Sequence, residues 1–405
     1  MKIIWLTTVI IDNNPVKSSG GWIHSMFKHL SQREDIEILN LVVNNSKSIE
    51  NISNEYCSQY CIPSRLIKKN GISKQLLDIV DQYSPTLLHF WGTESKWSDT
   101  FLYFQNHGYK CLLEIQGLMF LCTNFFYNGI EGHEKKCMHG ILDFVFPKLS
   151  LRYTEYAFNK KGIQEKELFE HALYINTQSD YVRSIISLFS SSGKIFKTGI
   201  ILREEFTGAA KWTNPVASNQ ICMVTSRASH KGLHTALKAF AILKRKNPNL
   251  VLKIAGVNVF PLLNFGYVSY IKRLSKQLGI EDAIIWAGYL KADEIKTMFD
   301  ESICYFNCSF VETYCLSLAE ALSYGIPCVV SHSGALPELA IDNITALTFP
   351  MSDYCSAANQ LNRIINNKNI REILSDNAVN KMQDINNIEK IIDMQISTYK
   401  QIDLD

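Results

Sequence analysis

The sequence has 405 residues, of which 46% are hydrophobic and 20% charged, with 41 Lys and Arg against 39 Asp and Glu. A chain of this length exceeds what one hydrophobic core usually organises, so we expect about two domains. The apolar share excludes a disordered chain. The even balance of charge excludes a nucleic-acid binder that relies on a domain-wide positive field.

The first ten residues, MKIIWLTTVI, are apolar enough to resemble an export signal. The apolar run ends at Asp12 and no small-residue cleavage site follows, so we interpret it as a buried first strand. No stretch reaches the roughly 18–20 apolar residues that a membrane span needs. The 11 cysteines are scattered without a CxxC pair, which indicates reduced thiols. We therefore predict a cytoplasmic protein and leave open peripheral contact with the inner face of the plasma membrane.

Short β-branched runs alternate with longer amphipathic stretches along nearly the whole chain. This alternation predicts parallel sheets that are covered by helices on both faces. The helical period is clear in Leu233–Lys246, where Leu233, Leu237 and Phe240 share a face. The predicted strands are Lys2–Ile10, Ile36–Val43, Thr86–Phe90, Cys111–Ile115, Leu173–Thr177, Ile195–Gly199, Gln220–Thr225, Leu250–Ala255, Ala283–Trp286, Ile303–Asn307, Cys328–Ser331 and Ala346–Phe349.

The segment Arg203–Asn219 separates two series of strands. It has weak periodicity and carries Gly208, Pro215 and small polar residues, so we place the domain boundary there. The predicted fold class is α/β, with two doubly wound, Rossmann-like domains. Ligands in such sheets bind at the carboxyl ends of the strands.

Two glutamates eight residues apart, Glu312 and Glu320, form the strongest motif in the C-terminal half. Glu312 precedes a helix that we predict from near Leu316 to Gly325. The free N–H groups at such a helix start attract phosphate, and carboxylates accept hydrogen bonds from sugar hydroxyls. A glutamate pair taken alone is more often a helix cap and a solvated side chain.

A second motif, Ser226-Arg-Ala-Ser-His-Lys-Gly232, lies between a predicted strand and a predicted helix. Arg227 and Lys231 can neutralise a diphosphate without a metal ion. Taken alone, this segment is more often a polar turn with surface charges. Two more turns follow strands in the same way, at Gly256 and at Gly288-Tyr289-Leu290.

Taken together and in order, these motifs resemble the family-4 glycosyltransferases, which have the GT-B fold. The resemblance covers Ile221–Glu338 and includes RxxxKG, LKIAG, WAGYL, the E-x7-E segment, EALSYGIPCVVS and SGALPE. It implies that two Rossmann-like domains face a central cleft and that a last helix crosses back to the first domain. The implied domains are residues 1–205 for the acceptor, 206–385 for the nucleotide-sugar and 386–405 for that helix.

The same resemblance implies roles for the motif residues. Arg227 and Lys231 would hold the donor diphosphate, Glu312 the donor sugar and Glu320 the ribose hydroxyls. Two departures from the family pattern stand out: the basic pair is four residues apart instead of five, and Tyr314-Cys315 replaces Phe-Gly. The remaining donor-binding candidates are Gly20, Gly21, Tyr289, Leu290, Tyr314, Cys315 and Leu316.

The N-terminal half offers weaker motifs. Ser18-Ser-Gly-Gly21 does not complete GxGxxG, so a dinucleotide dehydrogenase loses its main support. Its glycines let the backbone approach a ligand, which the resemblance identifies as the donor phosphates; a plain flexible turn is equally open. Glu94 and Gln116 end predicted strands and are candidates for the acceptor or sugar side. Many family members have a histidine at the position of Gln116, but glutamine cannot titrate.

The histidines of the N-terminal half are weak candidates for catalytic or metal-binding residues. His89 is more often a satisfied core residue than a catalyst. His133, Cys137 and His139 have a superficial metal-ligand spacing but lack a second ligand pair. We therefore expect no metal and no cofactor.

We predict a retaining, metal-independent glycosyltransferase of the hexosyltransferase type, with retention implied by the resemblance. Its donor would be a UDP- or GDP-sugar. Its acceptor would be a saccharide or lipid-linked saccharide in bacterial surface polysaccharide or lipopolysaccharide synthesis, and nucleic acid is not an expected partner. The alternatives are a nucleotide-sugar 2-epimerase of the same fold and a non-catalytic nucleotide-sugar-binding subunit.

Overall fold

A computed structural model describes residues 1–12, 20–69, 71–138, 145–208, 211–213, 218–260 and 265–405. The chain forms two compact units. The first unit comprises Met1–Met119, Lys161–Arg203 and Asn386–Asp405, and the second comprises Phe120–Lys160 and Glu204–Ile385.

The first unit is built on an eight-stranded sheet with the strand order β10-β9-β8-β7-β1-β2-β4-β3. Its neighbouring strands run parallel except for the β3–β4 pair. The central strands are apolar and buried, as expected for a sheet that helices cover on both faces. In chain order the strands are β1 (Lys2–Thr7), β2 (Glu37–Asn44), β3 (Glu50–Asn51), β4 (Ser58–Pro63), β7 (Leu87–Trp91), β8 (Cys111–Glu114), β9 (Tyr174–Thr177) and β10 (Lys194–Lys197), with a separate hairpin of β5 (Ile67–Lys68) and β6 (Gly71–Ile72).

The second unit is built on a six-stranded parallel sheet with the order β13-β12-β11-β14-β15-β16. The chain moves outward from β11 through β12 and β13, and then returns to place β14 on the other side of β11. Crevices at such a switch point, beyond the carboxyl ends of the strands, are where doubly wound sheets bind ligands. The strands are β11 (Gln220–Val224), β12 (Val251–Ala255), β13 (Ile284–Gly288), β14 (Cys304–Asn307), β15 (Cys328–His332) and β16 (Leu347–Pro350).

Helices connect most of these strands. Helix α8 has the apolar face that the sequence predicts, with Leu233, Leu237 and Phe240 all buried. The helices are α1 (Gly21–Leu30), α2 (Lys74–Tyr83), α3 (Phe101–Asn106), α4 (Met119–Asn124), α5 (Gly132–Cys137), α6 (Leu151–His171), α7 (Asp180–Ile186), α8 (Leu233–Lys246), α9 (Gly266–Gln277), α10 (Ala292–Asp300), α11 (Leu316–Tyr324), α12 (Leu336–Leu339), α13 (Tyr354–Asn366), α14 (Lys368–Ile385) and α15 (Ile388–Leu404).

The predicted α/β class is confirmed, and each predicted strand corresponds to an observed one with ends shifted by at most three residues. The sequence pattern did not predict β3, β4, β5 or β6. Of these, β4 is the longest, and its polar residue Gln59 is atypical of a buried strand. The Gln59 side chain is instead fully buried and bonded to the backbone of Ile11, donating to the carbonyl oxygen at 2.7 Å and accepting from the N–H at 3.0 Å.

The segment Phe120–Lys160 departs from the predicted domain boundary, since it lies within 1–205 but groups with the second unit. Its apolar side chains, including Phe126, Ile130 and Leu151, are part of the hydrophobic core of that unit. The His234 ring on α8 also lies 2.8 Å from the Asn128 carbonyl oxygen. Residues 386–405 group with the first unit.

We find no helix in the described ranges whose length and apolarity would let it cross a membrane.

Candidate functional site

The loop after β11 carries the basic motif and is held against the loop after β14. Ser229–Lys231 form a short 3-10 turn, and helix α8 begins at Leu233. A Cβ at Gly232 would lie 2.0 Å from the Cys308 carbonyl oxygen, so only glycine permits this approach. The Phe310 N–H donates to the His230 carbonyl oxygen at 2.8 Å. The two loops are therefore joined through their backbones.

The loop after β14 carries Glu312 and is fixed from its other side by the loop after β15. The Ala335 N–H donates to the Glu312 carbonyl oxygen at 3.0 Å. A Cβ at Gly334 would lie 2.4 Å from the same oxygen. These contacts fix the backbone of Glu312 at the carboxyl edge of the sheet, beside the switch point.

Lys231 and Glu312 form an ion pair, with 2.7 Å between Lys231 Nζ and Glu312 Oε1. The exposed fractions of the two side chains are 27% and 10%. Burial alone would raise the pKa of Glu312, but the charge and hydrogen bond of Lys231 outweigh it, so the pKa is lowered. Burial would likewise lower the pKa of Lys231, and Glu312 reverses that shift. Both groups are therefore charged at neutral pH.

Arg227 lies on the same loop as Lys231 but not in the ion pair. Its side chain is exposed, and no described residue forms an ion pair or hydrogen bond with it. The structure thus brings Lys231 and Glu312 together and leaves Arg227 solvated.

Helix α11 begins directly after this loop. Cys315 precedes it with φ +76° and ψ +78°, a left-handed conformation that L side chains rarely adopt. The N–H groups of Leu316 and Ser317 have no hydrogen-bond partner among the described residues, as is usual in a first helical turn. Burial raises the pKa of the Cys315 thiol to about 12, so the thiol is neutral. An anion at this helix start would meet N–H groups and no thiolate.

Three more polar side chains near this site are almost fully buried. Glu320 lies within α11 and is 5% exposed. The Tyr314 hydroxyl and the Ser229 hydroxyl have no hydrogen-bond partner among the described residues. The predicted candidates Tyr314 and Glu320 thus lie inside the second unit and are not surface groups.

His230 is a residue of this site that the sequence did not single out. Its Nε2 lies 3.8 Å from Cys122 Sγ, and its ring centroid lies 5.9 Å from that of Phe158. Its Nδ1 is buried without a partner in the described part of the chain. Burial, followed by the charge of Lys231, lowers the pKa of His230 to about 4. The ring is therefore neutral at neutral pH.

Tyr289 and Leu290 follow β13, the edge strand of the sheet. Tyr289 is 76% exposed, and Leu290 is half-buried. β12 separates their strand from β11. They therefore lie at the same carboxyl edge as Lys231, two strands away.

In the first unit, Gly20 and Gly21 lie at the start of α1. Ser18 and Ser19 of the predicted loop lie outside the described residues. A Cβ at Gly21 would meet the Arg203 side chain at 2.7 Å. The helix start therefore lies directly beside an arginine.

Glu94 and Gln116 lie together in the first unit. A Cβ at Gly92 would lie 2.4 Å from Glu94 Oε2 and 3.3 Å from Gln116 Oε1. Burial raises the pKa of Glu94, although part of its side chain is exposed. Helix α6 fixes the same loop, since the Thr93 hydroxyl donates to Glu165 Oε1 at 2.6 Å.

His89 is fully buried in the first unit. Its Nδ1 lies 2.8 Å from the Tyr399 hydroxyl and its Nε2 lies 3.3 Å from Glu114 Oε2. Burial lowers its pKa, which keeps the ring neutral. This is the core role that the sequence favours.

The described residues contain no group of three His, Cys, Asp or Glu side chains arranged to hold a metal ion. Of the superficial metal motif, His139 and the side chain of Cys137 lie outside the described part. His133 is exposed and lies 3.4 Å from Glu131.

Residues 207–381 match the family model described as glycosyl transferases group 1. This stretch contains the loops and the helix of the candidate site. The match agrees with the resemblance to glycosyltransferases that the sequence predicts, without testing the E-x7-E motif itself.

Among curated relatives, the chain is 28% identical over 138 residues to the uncharacterized glycosyltransferase YqgM of Bacillus subtilis. That match covers 34% of this chain and 36% of YqgM. The chain spans between 34% and 42% of the length of the curated relatives it matches.

Solved structures match along the whole chain. Anabaena Alr3699/HepE in complex with UDP and glucose has a TM-score of 0.67 and 12% identity, and the match covers 99% of each chain. WaaG, a glycosyltransferase involved in lipopolysaccharide biosynthesis, has a TM-score of 0.63 and 10% identity, again with 99% of each chain covered. The chain therefore has the GT-B fold.

Proposed function

We propose that the protein is a retaining glycosyltransferase that transfers a sugar from a UDP- or GDP-sugar to a saccharide or lipid-linked saccharide. The observation that carries the proposal is the Lys231–Glu312 ion pair at the start of α11. It combines a cation, a carboxylate and free helix N–H groups at the switch point of the sheet. The cation and the helix N–H groups can bind the phosphates of a sugar diphosphate, and the carboxylate can accept hydrogen bonds from the sugar hydroxyls.

In the proposed reaction, the bond between the anomeric carbon and the diphosphate oxygen breaks. Lys231, Arg227 and the start of α11 stabilise the negative charge that develops on the diphosphate. The acceptor oxygen forms the new bond to the anomeric carbon, and its proton passes to the departing phosphate. No metal ion is required in this scheme, because cations and helix N–H groups supply the stabilisation.

Glu312 would hold the sugar and stabilise positive charge at the anomeric carbon. Retention of configuration can result from front-face attack by the acceptor or from a covalent intermediate on Glu312. Both routes use Glu312 as the carboxylate beside the anomeric carbon.

Glu94 and Gln116 are the groups that we assign to the acceptor or sugar side. Support for a UDP-linked donor comes from Alr3699/HepE, whose structure contains UDP and glucose. Support for a bacterial surface polysaccharide or lipopolysaccharide acceptor comes from WaaG. With such an acceptor, the enzyme would work at the inner face of the plasma membrane.

The experiment begins with thermal unfolding of the protein in the presence of a panel of nucleotide-sugars, because specific ligands raise the melting temperature. Transfer from the stabilising donor is then measured with EDTA present, using saccharide and lipid-linked acceptors. Product formation without any acceptor would instead indicate a 2-epimerase. Binding without transfer to any acceptor would indicate a non-catalytic subunit, and a flat response to the whole panel would contradict the proposal.

A further inference from the structure

The Lys231–Glu312 ion pair joins two groups that the proposed function assigns to different parts of the donor. Lys231 would face the diphosphate, and Glu312 would face the sugar. An ammonium that is neutralised by a carboxylate at 2.7 Å offers less charge to a second anion. The carboxylate also repels phosphate. The pair therefore opposes the binding of a diphosphate that carries no sugar.

The backbones that carry this pair have little freedom to separate. Gly232, next to Lys231, lies against the Cys308 carbonyl, and Gly334 lies against the backbone of Glu312. Any rearrangement on ligand binding therefore falls to the side chains. Lysine has a flexible four-carbon stem, so the ammonium is the group that can turn between two partners.

The two titratable side chains next to the pair, His230 and Cys315, carry no charge. His230 is neutral because burial and Lys231 lower its pKa to about 4. The Cys315 thiol is also neutral, because burial raises its pKa to about 12. Arg227, on the same loop, is exposed and keeps its charge available for a diphosphate. The attraction of this loop for phosphate thus comes from Arg227 and Lys231, and the part that Lys231 supplies depends on its partner.

We propose that the Lys231–Glu312 pair lets the site discriminate an intact nucleotide-sugar from the nucleoside diphosphate that remains after transfer. This inference rests on the proposed function. With an intact donor, sugar hydroxyls donate hydrogen bonds to Glu312, and Lys231 turns to the diphosphate. After transfer, the sugar has left with the acceptor, and Glu312 competes again for Lys231. The pair thereby promotes release of the nucleoside diphosphate.

The test compares wild type with Glu312→Gln by calorimetric titration with UDP, UDP-glucose, GDP and GDP-mannose. Glutamine keeps the hydrogen-bonding shape but removes the charge. We expect the variant to bind the nucleoside diphosphate about three- to tenfold more tightly than wild type. Its preference for the intact nucleotide-sugar over the diphosphate should fall by about tenfold or more. UDP or GDP should also dissociate more slowly from the variant.

Glu301→Gln is the matched control. Glu301 pairs with Lys253 at 2.9 Å in the same unit, but it lies just before the amino end of β14, at the opposite edge of the sheet. The Glu301→Gln substitution removes the same charge as Glu312→Gln, and the ligand affinities of this variant should equal those of wild type. Glu312→Asp, which shortens the carboxylate side chain, is a second variant for which we expect a change in the same direction.

Tighter diphosphate binding by Glu312→Gln, with no change in Glu301→Gln, would support the inference. Unchanged or weaker diphosphate binding by both Glu312 variants would overturn it, as would an equal gain in Glu301→Gln. In these cases, nucleotide-sugar binding by wild type would leave the proposed function standing. A wild-type protein that binds none of the four ligands would overturn both.

Discussion

Gly334 lies directly against the backbone of Glu312. A Cβ at Gly334 would be 2.4 Å from the Glu312 carbonyl oxygen and 2.7 Å from its backbone nitrogen. Gly334 also has φ +54°, which disfavours other residues. The loop after β15 thus determines where the carboxylate that pairs with Lys231 can lie.

Gly334→Ala should therefore impair donor binding as well as stability. The left-handed φ costs about 1 kcal/mol, and the overlap with Glu312 adds about 1–3 kcal/mol. We expect donor affinity to fall by at least about tenfold, because the Glu312 backbone must shift. Urea denaturation and calorimetric titration measure the two effects.

Gly279→Ala is the control for the effect of φ alone. Gly279 has φ +68°, but a Cβ there would meet nothing within 4 Å. This variant should lose about 1 kcal/mol of stability and no donor affinity. If both variants bind donor like wild type, Gly334 does not position Glu312.

Lys231→Ala and Arg227→Ala should each reduce transfer while the fold survives. Removal of one group that stabilises charge in a transition state typically costs about 100- to 1000-fold in rate. Lys231→Ala should also destabilise the protein, because it leaves the nearly buried Glu312 carboxylate without its partner. Arg227→Ala should not, since Arg227 is exposed. Turnover near the wild-type rate in both variants would contradict the diphosphate assignment.

The strands and the two motifs of the site could be predicted from the sequence because each is local. A β-branched run between turn residues predicts a strand such as β14, and the Glu312–Glu320 spacing is visible in one segment. The order β11-β14 is a tertiary property, however. The ion pair between Lys231 and Glu312 joins residues 81 apart, and no spacing rule predicts it.

The segment Phe120–Lys160 was assigned to the first domain for the same reason, since its position depends on tertiary contacts. Phe120–Lys160 precedes the predicted boundary, which was placed from the weak periodicity of Arg203–Asn219. Its place in the second unit depends on contacts such as that of Asn128 with His234, which are 106 residues apart. His230 was missed because, in the sequence, it is a spacer between Arg227 and Lys231.

At position 315, glycine should give a more stable protein than alanine, which is the reverse of their usual order. The φ of Cys315, +76°, is a conformation that glycine adopts without strain and alanine does not. Both substitutions remove the same thiol, so their difference isolates the backbone. We expect Cys315→Gly to be more stable than Cys315→Ala by about 1 kcal/mol in urea denaturation. Equal stabilities, or a more stable alanine variant, would contradict strain at this position.

His230 should make the protein less stable as the pH falls from about 6.5 to about 4. The unfolded chain binds a proton near pH 6.5, whereas burial and Lys231 lower the pKa of folded His230 to about 4. Between these values the unfolded state binds more protons, so the free energy of unfolding decreases with falling pH. The loss reaches at most about 3 kcal/mol and is complete below the folded pKa.

His230→Gln should remove this contribution and flatten the pH dependence of the free energy of unfolding. Urea denaturation at several pH values between 4.5 and 7 measures the slope for wild type and variant. His107→Gln is the control, because His107 is exposed and its Nδ1 contacts the Tyr103 carbonyl oxygen. Burial also lowers the pKa of His234 to about 4. Some dependence of the free energy of unfolding on pH should therefore persist in His230→Gln as well as in His107→Gln. A slope in His230→Gln equal to that of wild type would show that His230 is not buried as a neutral ring.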